Sequence, residues 1–379
     1  MIYLDNAATA RTSPTALNKM YNYFTLYYGN PSAGYDLANE SAMAIVEARE
    51  TIASLLNVSP EEIFFTSGGT ESDNWAIRGV YLANKAKGNH IITSVIEHPA
   101  VLRTCEFLGK YCGAEVTYLP VDGNGRVNPG DVESAITDRT VLVSIMTANN
   151  EIGTIQPIHE IAAVAHSHSI LFHTDGVQAI GHMNIDAGDI DLLSASGHKF
   201  GGPKGTGFLY IKKGTDILPL LYGGGQEGGY RSGTENVPGI IGLGAAAGEF
   251  TDYEHLNRVV AEMKEKRDFV IKSILEEIYG AKLNGGTDDR LANNINVCIP
   301  GVNGDELMGV LSGHDICIST GSACSTSSGK PSHVLTAIGL TGEEARCSIR
   351  ITLGHDTMLY ELRTFINILK HAVKMLRGR

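Results

Sequence analysis

Between residues 63 and 211, short apolar runs alternate with amphipathic stretches, and this alternation constrains the fold more than any other feature. Ile63 to Thr66 reads as a strand, and SGGTESDNWAIRGVYLANKA opens a helix behind it. IITSVIE is the next strand, followed by a helix past Pro99. EVTYLPV, TVLVSIMT, ILFHTD, DLLSAS and GFLYI are further strands, with IHEIAAVAHSH as a helix among them. Strands that are apolar on both faces and alternate with helices predict an α/β fold, a doubly wound and mainly parallel sheet covered on both sides. Such sheets bind ligands beyond the carboxyl ends of their strands.

The texture changes near residue 250. A charged amphipathic helix is predicted from Asp252 to Tyr279. NNINVCI, a helix at DELMGVLSG, ICIST, SIRITLG and a last helix to Leu376 follow, which predicts a smaller α+β domain. At the other end, residues 1 to 10 read as an extended arm, with a helix after Ser13-Pro14, a turn at GNPSAGY and a helix from Asn39 to Leu56. A chain of 379 residues is too long for one ordinary core. The expected division is a large domain of residues 15–250 and a small one built from 1–14 and 251–379.

Composition removes several classes of function. The net charge is −12 and no long basic run occurs, which argues against a nucleic-acid or anionic membrane partner. No apolar run reaches about 18 residues, so no membrane helix is expected. MIYLDNAATA does not resemble a signal peptide, and a cytoplasmic protein is the default. The six cysteines form neither a CxxC pair nor a Cys/His zinc pattern. GGGQEG at 223–228 fits a dinucleotide pattern but follows no strand and opens no helix, so a loop is expected there. His159-Glu160 with His166 has the wrong spacing for a zinc motif. No metal site is expected.

The chemistry concentrates in SASGHKFGGPKGTGFLYI, residues 194–211, where Lys199 sits in a glycine-rich turn between two strands. A desolvated lysine amine is a nucleophile that condenses with an aldehyde. A surface lysine in a hairpin is the ordinary alternative. Asp175 shifts the balance: it ends an apolar strand about one βαβ step earlier. A lysine to hold an aldehyde and a carboxylate to keep a pyridine nitrogen protonated are the minimum apparatus for pyridoxal phosphate.

TSGGTES places Gly69 and Thr70 at a strand-to-helix junction, an anion site or a simple helix cap. Ser196 and His198 are candidate donors to the same phosphate. His98 ends a strand, placed to stack on a ring and shuttle protons, or to serve as a hydrogen-bonded core residue. Asn150 belongs to NNEIGT at another strand end, for ligand or for turn. Arg350 faces away from Ile349 and Ile351, suited to a substrate carboxylate or to a structural salt bridge. Cys324 lies in a small, polar loop, GSACSTSSGK, where a thiol can be a nucleophile or merely exposed.

These segments together resemble the pyridoxal-phosphate cysteine desulfurases of the nitrogenase and iron–sulfur-cluster type, within the class V aminotransferase superfamily. The likeness runs in order through YLDNAAT, GNPS, TSGGTESDN, EHPAV, NNEIGT, HTDGVQA, SGHKFGGPKGTG, RSGTENVPGI, GSAC and SIRITLG. It implies a fold-type I enzyme and a homodimer. It implies Lys199 as the imine-forming residue, Asp175 on the pyridine nitrogen, Gln178 on the ring hydroxyl and His98 stacked on the ring. Gly69, Thr70, Ser196 and His198 would hold the phosphate, with Thr234 lent by the second subunit. Asn150 and Arg350 would hold the substrate, and Cys324 would accept its sulfur as a persulfide, with His98 as the expected proton acceptor. The implied reaction turns L-cysteine into L-alanine and passes sulfur to an acceptor, a cluster scaffold or a tRNA thiolase. Selenocysteine lyase, transamination or epimerisation on the same scaffold would not need Cys324. A non-catalytic sulfur carrier would need neither Lys199 nor Asp175. The chain departs from the pattern at Ala33-Gly34-Tyr35, where many relatives carry a histidine.

Overall fold

The computed structural model describes residues 1–320 and 331–378. The arm opens with strand β1 (Ile2–Tyr3), then helices α1 (Pro14–Thr25) and α2 (Asp36–Leu56). The Ser13 side chain accepts from the Ala16 N–H and Pro14 takes the first helical position, so α1 begins where its missing donor costs nothing. The predicted alternation then appears in order: β2 (Ile63–Thr66), α3 (Gly69–Asn84), β3 (His90–Ser94), α4 (Pro99–Cys112), β4 (Glu115–Leu119), α5 (Pro129–Ala135), β5 (Thr140–Ser144), α6 (Ile158–Ser167), β6 (Leu171–Asp175), β7 (Leu192–Ser196) and β8 (Gly207–Ile211). These strands form one sheet in the order β2-β8-β7-β6-β5-β3-β4. Only β8 runs against its neighbours. Strands β3, β5, β7 and β8 are buried along their whole length, as sandwiching between helix layers requires.

Two features differ from the pattern reading. The step from β6 to β7 contains turns and no helix. Gly181 takes a φ of +77° there, a left-handed conformation that ends any helix. After the 223–228 segment, which is a loop as expected, a further helix appears, α7 (Val237–Gly248). Its sequence, VPGIIGLGAAAG, has poor helix propensity but fits a close crossing. A Cβ at Gly244 would lie 2.6 Å from the Cβ of Ala48 on α2. Packing overrides propensity at this crossing.

The remaining chain holds α8 (Tyr253–Glu277), β9 (Lys282–Leu283), β10 (Asn294–Cys298), α9 (Gly304–Ser312), β11 (Ile316–Cys317), β12 (Ser319–Thr320), α10 (His333–Ala337), α11 (Gly342–Arg346), β13 (Ser348–Thr352) and α12 (Leu359–Arg377). Strands β12, β13, β10 and β9 make a four-stranded antiparallel sheet, and β11 pairs with β1. One apolar core lies under the large sheet around Phe172, Phe208 and Leu243. A second joins Leu4 of the arm to Ile295, Ile349, Phe365 and Leu369.

Gly207 sits where β8 passes the start of α3. A Cβ there would meet the Ala195 carbonyl and lie 2.6 Å from the Gly68 Cα. Both obstacles are backbone, so neither can swing aside. Gly207→Ala is expected to lower unfolding free energy by about 1–3 kcal/mol, read from urea denaturation. An unchanged midpoint would show that the strand can shift to make room.

Candidate active site

A cavity of about 1200 Å³ opens beyond the carboxyl ends of β2, β3, β5, β6 and β7. Gly69, Thr70, His98, Asn150, Asp175, Gln178, Ser196, His198, Lys199 and Arg350 all line it. The arm closes one side through Ala7, Ala8 and Thr9. Thr234 is exposed and is not among the lining residues. Cys324 lies outside the described residues. Its described flanks reach the site: Ser319 pairs with Arg350 across β12 and β13, and Pro331 lines the cavity.

Lys199 ends a single helical turn, Gly197–Lys199, between β7 and β8. Its Nζ donates to the Ala7 carbonyl at 2.6 Å and the Ala8 carbonyl at 2.9 Å. Gln178 donates to the same Ala7 oxygen at 3.1 Å. These acceptors are backbone atoms of the arm, which no residue-type pattern reveals.

Asp175 is buried at the end of β6 and accepts from the Val177 N–H at 2.9 Å. Burial pushes its carboxyl up, while His98, the Val177 bond and Lys199 oppose that shift. The His98 side chain caps α4: its Nδ1 accepts from the Ala100 N–H at 3.2 Å. In the neutral ring that bond assigns the hydrogen to Nε2, so the free edge of the imidazole is a donor. Burial lowers its pKa, with Asp175 raising it and Lys199 lowering it further. Taking up another proton would cost the Ala100 bond, so the geometry favours donation over acceptance.

At the opposite end, α3 begins in bare backbone. Gly68 has a φ of +146°, and a Cβ on Gly69 would strike the Val177 side chain at 2.5 Å. The exposed N–H groups and helix dipole suit an anion there. The Ser196 Oγ lies 3.3 Å from the Cβ position of Gly68. His198 hydrogen-bonds Thr9 at 3.1 Å and is pushed down to about 4 by burial, then by Lys199 and Lys204. A neutral His198 offers a hydrogen bond without a charge. Glu71 would repel an anion in this turn. Burial raises it, but hydrogen bonds from Arg231 and Ser67 outweigh that and hold it below the usual range. Arg231 thereby cancels a negative charge.

Arg350 projects from β13, with Ile349 and Ile351 in the second core. It pairs with Asp5 at 2.8 Å and donates to the Asn150 carbonyl at 3.0 Å, so the structural salt bridge exists. Its buried Nε has no partner among the described residues. The guanidinium therefore serves the fold, and Arg350 also lines the cavity.

Buried acids sit in and beside the cavity lining, Glu151 among them. Asp73, Glu97 and Asp175 are each less than a tenth exposed. Pattern reading passed over the first two. The signal was an acid on the helix face shared with Ala76 and Ile77, and another closing an apolar strand. Glu97 accepts from Ser94 at 2.7 Å and from the Met146 N–H at 3.1 Å. In sum, the site joins an amine to a buried carboxylate, an anion cradle, an imidazole donor and an arginine. The donor set fits an aldehyde-bearing, phosphorylated pyridine. No helix among the described residues is long and apolar enough to cross a membrane.

A fold-type I architecture and this constellation define an enzyme of pyridoxal-phosphate type. The class-V aminotransferase family model matches residues 2–365, and the chain belongs to that family. It is 50% identical over 380 residues to the cysteine desulfurase IscS of Methanosarcina thermophila, covering 100% of this chain and 93% of that one. It is 48% identical to the IscS of Clostridium botulinum strain Hall, covering 99% and 95%. Among solved structures, a NifS-like protein superposes with a TM-score of 0.93 at 37% identity, over 99% of each chain. SspA in complex with cysteine gives a TM-score of 0.82 at 40% identity, over 93% of this chain and 99% of that one.

Glu97 supplies a pH test. Burial, opposed by the Ser94 and Met146 bonds, raises it from 4.5 to about 8. The folded chain binds this proton more tightly than the unfolded chain. The stability it contributes is full below the unfolded value and is lost as pH rises through about 8. Glu97→Gln removes that dependence. Urea titrations between about pH 5 and about pH 8.5 should show a flatter stability profile than the parent over this window. An equal slope in both proteins would mean that Glu97 does not carry the proton.

Proposed function

We propose that this chain is a pyridoxal-phosphate-dependent L-cysteine desulfurase that yields L-alanine and collects the sulfur as a persulfide on Cys324. The observation that carries the reading is the convergence of Lys199, buried Asp175 and Arg350 on one cavity. The identities to cysteine desulfurases over the whole chain support the same substrate.

When bound, the cofactor would supply an electron sink for bond cleavage at the substrate Cα and Cβ. Lys199 would hold its aldehyde carbon, and Asp175 would face the ring nitrogen. Gln178 would serve the ring hydroxyl, His98 would cover the ring, and the α3 amino end with Ser196 and His198 would take the phosphate. Arg350 and Asn150, which both line the cavity, would bind the substrate carboxylate. With the substrate amine in place, the Lys199 Nζ would take the Cα proton. The Cys324 thiolate attacks the substrate sulfur. The C–S electron pair stays on Cβ, which gains a proton, Lys199 returns its proton to Cα, and the product leaves as alanine. Pro331, directly after the Cys324 segment, lines the cavity, and β12, directly before it, pairs with β13 at Arg350, which favours delivery of that thiol to the substrate.

Residues 15–250 are proposed as the cofactor-binding domain, and 1–14 with 251–379 as the small one, each with its own apolar core. The enzyme is placed in the cytoplasm, where thiols stay reduced. The five described cysteines are free. The sulfur acceptor is a protein, a cluster scaffold or a tRNA thiolase.

Cys324→Ser is expected to bind pyridoxal phosphate and L-cysteine with the parent's affinity yet release neither sulfide nor alanine. Serine oxygen neither attacks sulfur well nor holds a persulfide. Alkylation and mass spectrometry of the parent should find one extra sulfur on Cys324. Normal turnover by the variant would move the assignment to a lyase or transaminase.

Thr234 is exposed and sits away from its own cavity, which favours its lending to a second copy. In a homodimer with shared sites, mixing Lys199→Ala and Thr234→Ala subunits should restore part of the lost activity. A mixture no better than its parents, or a monomer in solution, would rule that arrangement out.

A further inference from the structure

We propose that Asp73 is a positioning residue that acts through Asp175: a buried carboxylic acid that keeps a proton and leaves Asp175 as the charged member of the pair. Asp73 lies one turn into α3 and is 1% exposed. One oxygen of Asp73, one of Asp175 and one ring nitrogen of His98 lie within 4.8 Å of one another. Two carboxylates that close in a dry interior do not both ionise. The local donors decide which keeps the proton.

Asp175 has the better environment for a charge. The Val177 N–H donates to it, and His98 and Lys199 both favour its ionised form. Asp73 has the Ser194 hydroxyl, and its Oδ1 has no hydrogen-bond partner among the described residues. A charged oxygen without a donor is costly in the interior, whereas a protonated one is tolerated.

The hydrogens can be assigned along the chain of groups behind Asp73. Ser194 has one hydroxyl hydrogen, which goes to Asp73. Its oxygen then accepts from the His173 Nε2–H at 3.0 Å. His173 Nδ1 is left to accept from Ser144 at 2.8 Å. Burial pushes His173 down to about 3, so the ring is neutral. Its Nε2 lies 3.7 Å from Asp73 Oδ1, yet a neutral ring makes no ion pair there. The relay therefore delivers a donor, and no positive charge, to Asp73. A proton kept on Asp73 leaves the single charge of the close pair on Asp175, where the Val177 N–H holds it.

The consequence for a bound cofactor rests on the role proposed for Asp175; the protonation of Asp73 does not. Infrared difference spectra of the holoenzyme, parent against Asp73→Asn near neutral pH, test it directly. The expected result is loss of a protonated-carboxyl stretch that shifts in heavy water, with Glu97→Gln identifying the band from Glu97. Loss of carboxylate bands alone would overturn the proposal. Equilibrium binding of pyridoxal phosphate gives a second readout. Asp73→Leu, which removes the acid, should weaken binding by about tenfold, and Asp73→Asn should recover most of it. Parent-like affinity in the leucine variant, or no recovery with asparagine, would also overturn it. If the parent bound no pyridoxal phosphate, the reading of the whole site would fail, while the infrared comparison on the same chain would still decide Asp73.

Discussion

Parallel pairing dictates where chemistry can occur in this chain. Strands β3, β5, β6 and β7 run the same way, so their carboxyl ends share one edge. Each end delivers polar residues to that edge: Ser94 and then His98, Ser144 and then Asn150, Asp175 and then Gln178, Ser196 and then Lys199. Buried on both faces, the strands cannot present side chains anywhere else. Groups separated by about a hundred residues meet without any long-range motif.

Burial then sets the charge states. Desolvation raises Asp73, Glu97 and Asp175 and lowers His98, His173 and His198. An interior that neutralises acids and bases alike makes each retained charge depend on its immediate donors. Arg231 on Glu71 and Asp5 on Arg350 are two local solutions. Neither ion pair is fully exposed, so both are screened less than a surface pair would be.

The alternation of strands and helices was legible because doubly buried strands need continuous apolar runs. Lys199, Asp175, Ser196 and Arg350 were legible because each interrupts or ends such a run. Other features left no such mark. The acceptors of Lys199 and Gln178 are main-chain carbonyls, which any sequence possesses. Helix α7 was hidden because its glycines, poor in propensity, serve contact with Ala48. Asp73 and His173 form part of a hydrogen-bond chain that alternation alone cannot distinguish from polar surface. Thr234 was placed by resemblance, and a single chain leaves it in solvent. The helix expected between β6 and β7 is replaced by turns at Gly181.

The arm ties the first residues to the last sheet. Asn6 donates to the Thr352 carbonyl, 346 residues away, and β1 pairs with β11. On the ribosome, this arm emerges before its partners and waits until β11 and β13 have been made. The large sheet can assemble meanwhile, but Ala7 and Ala8 reach Lys199 only after β11 and β13 have been translated. Closure of the cavity is therefore a late event in biogenesis, and a chain stalled before β13 would hold an assembled sheet with an open, unreactive site.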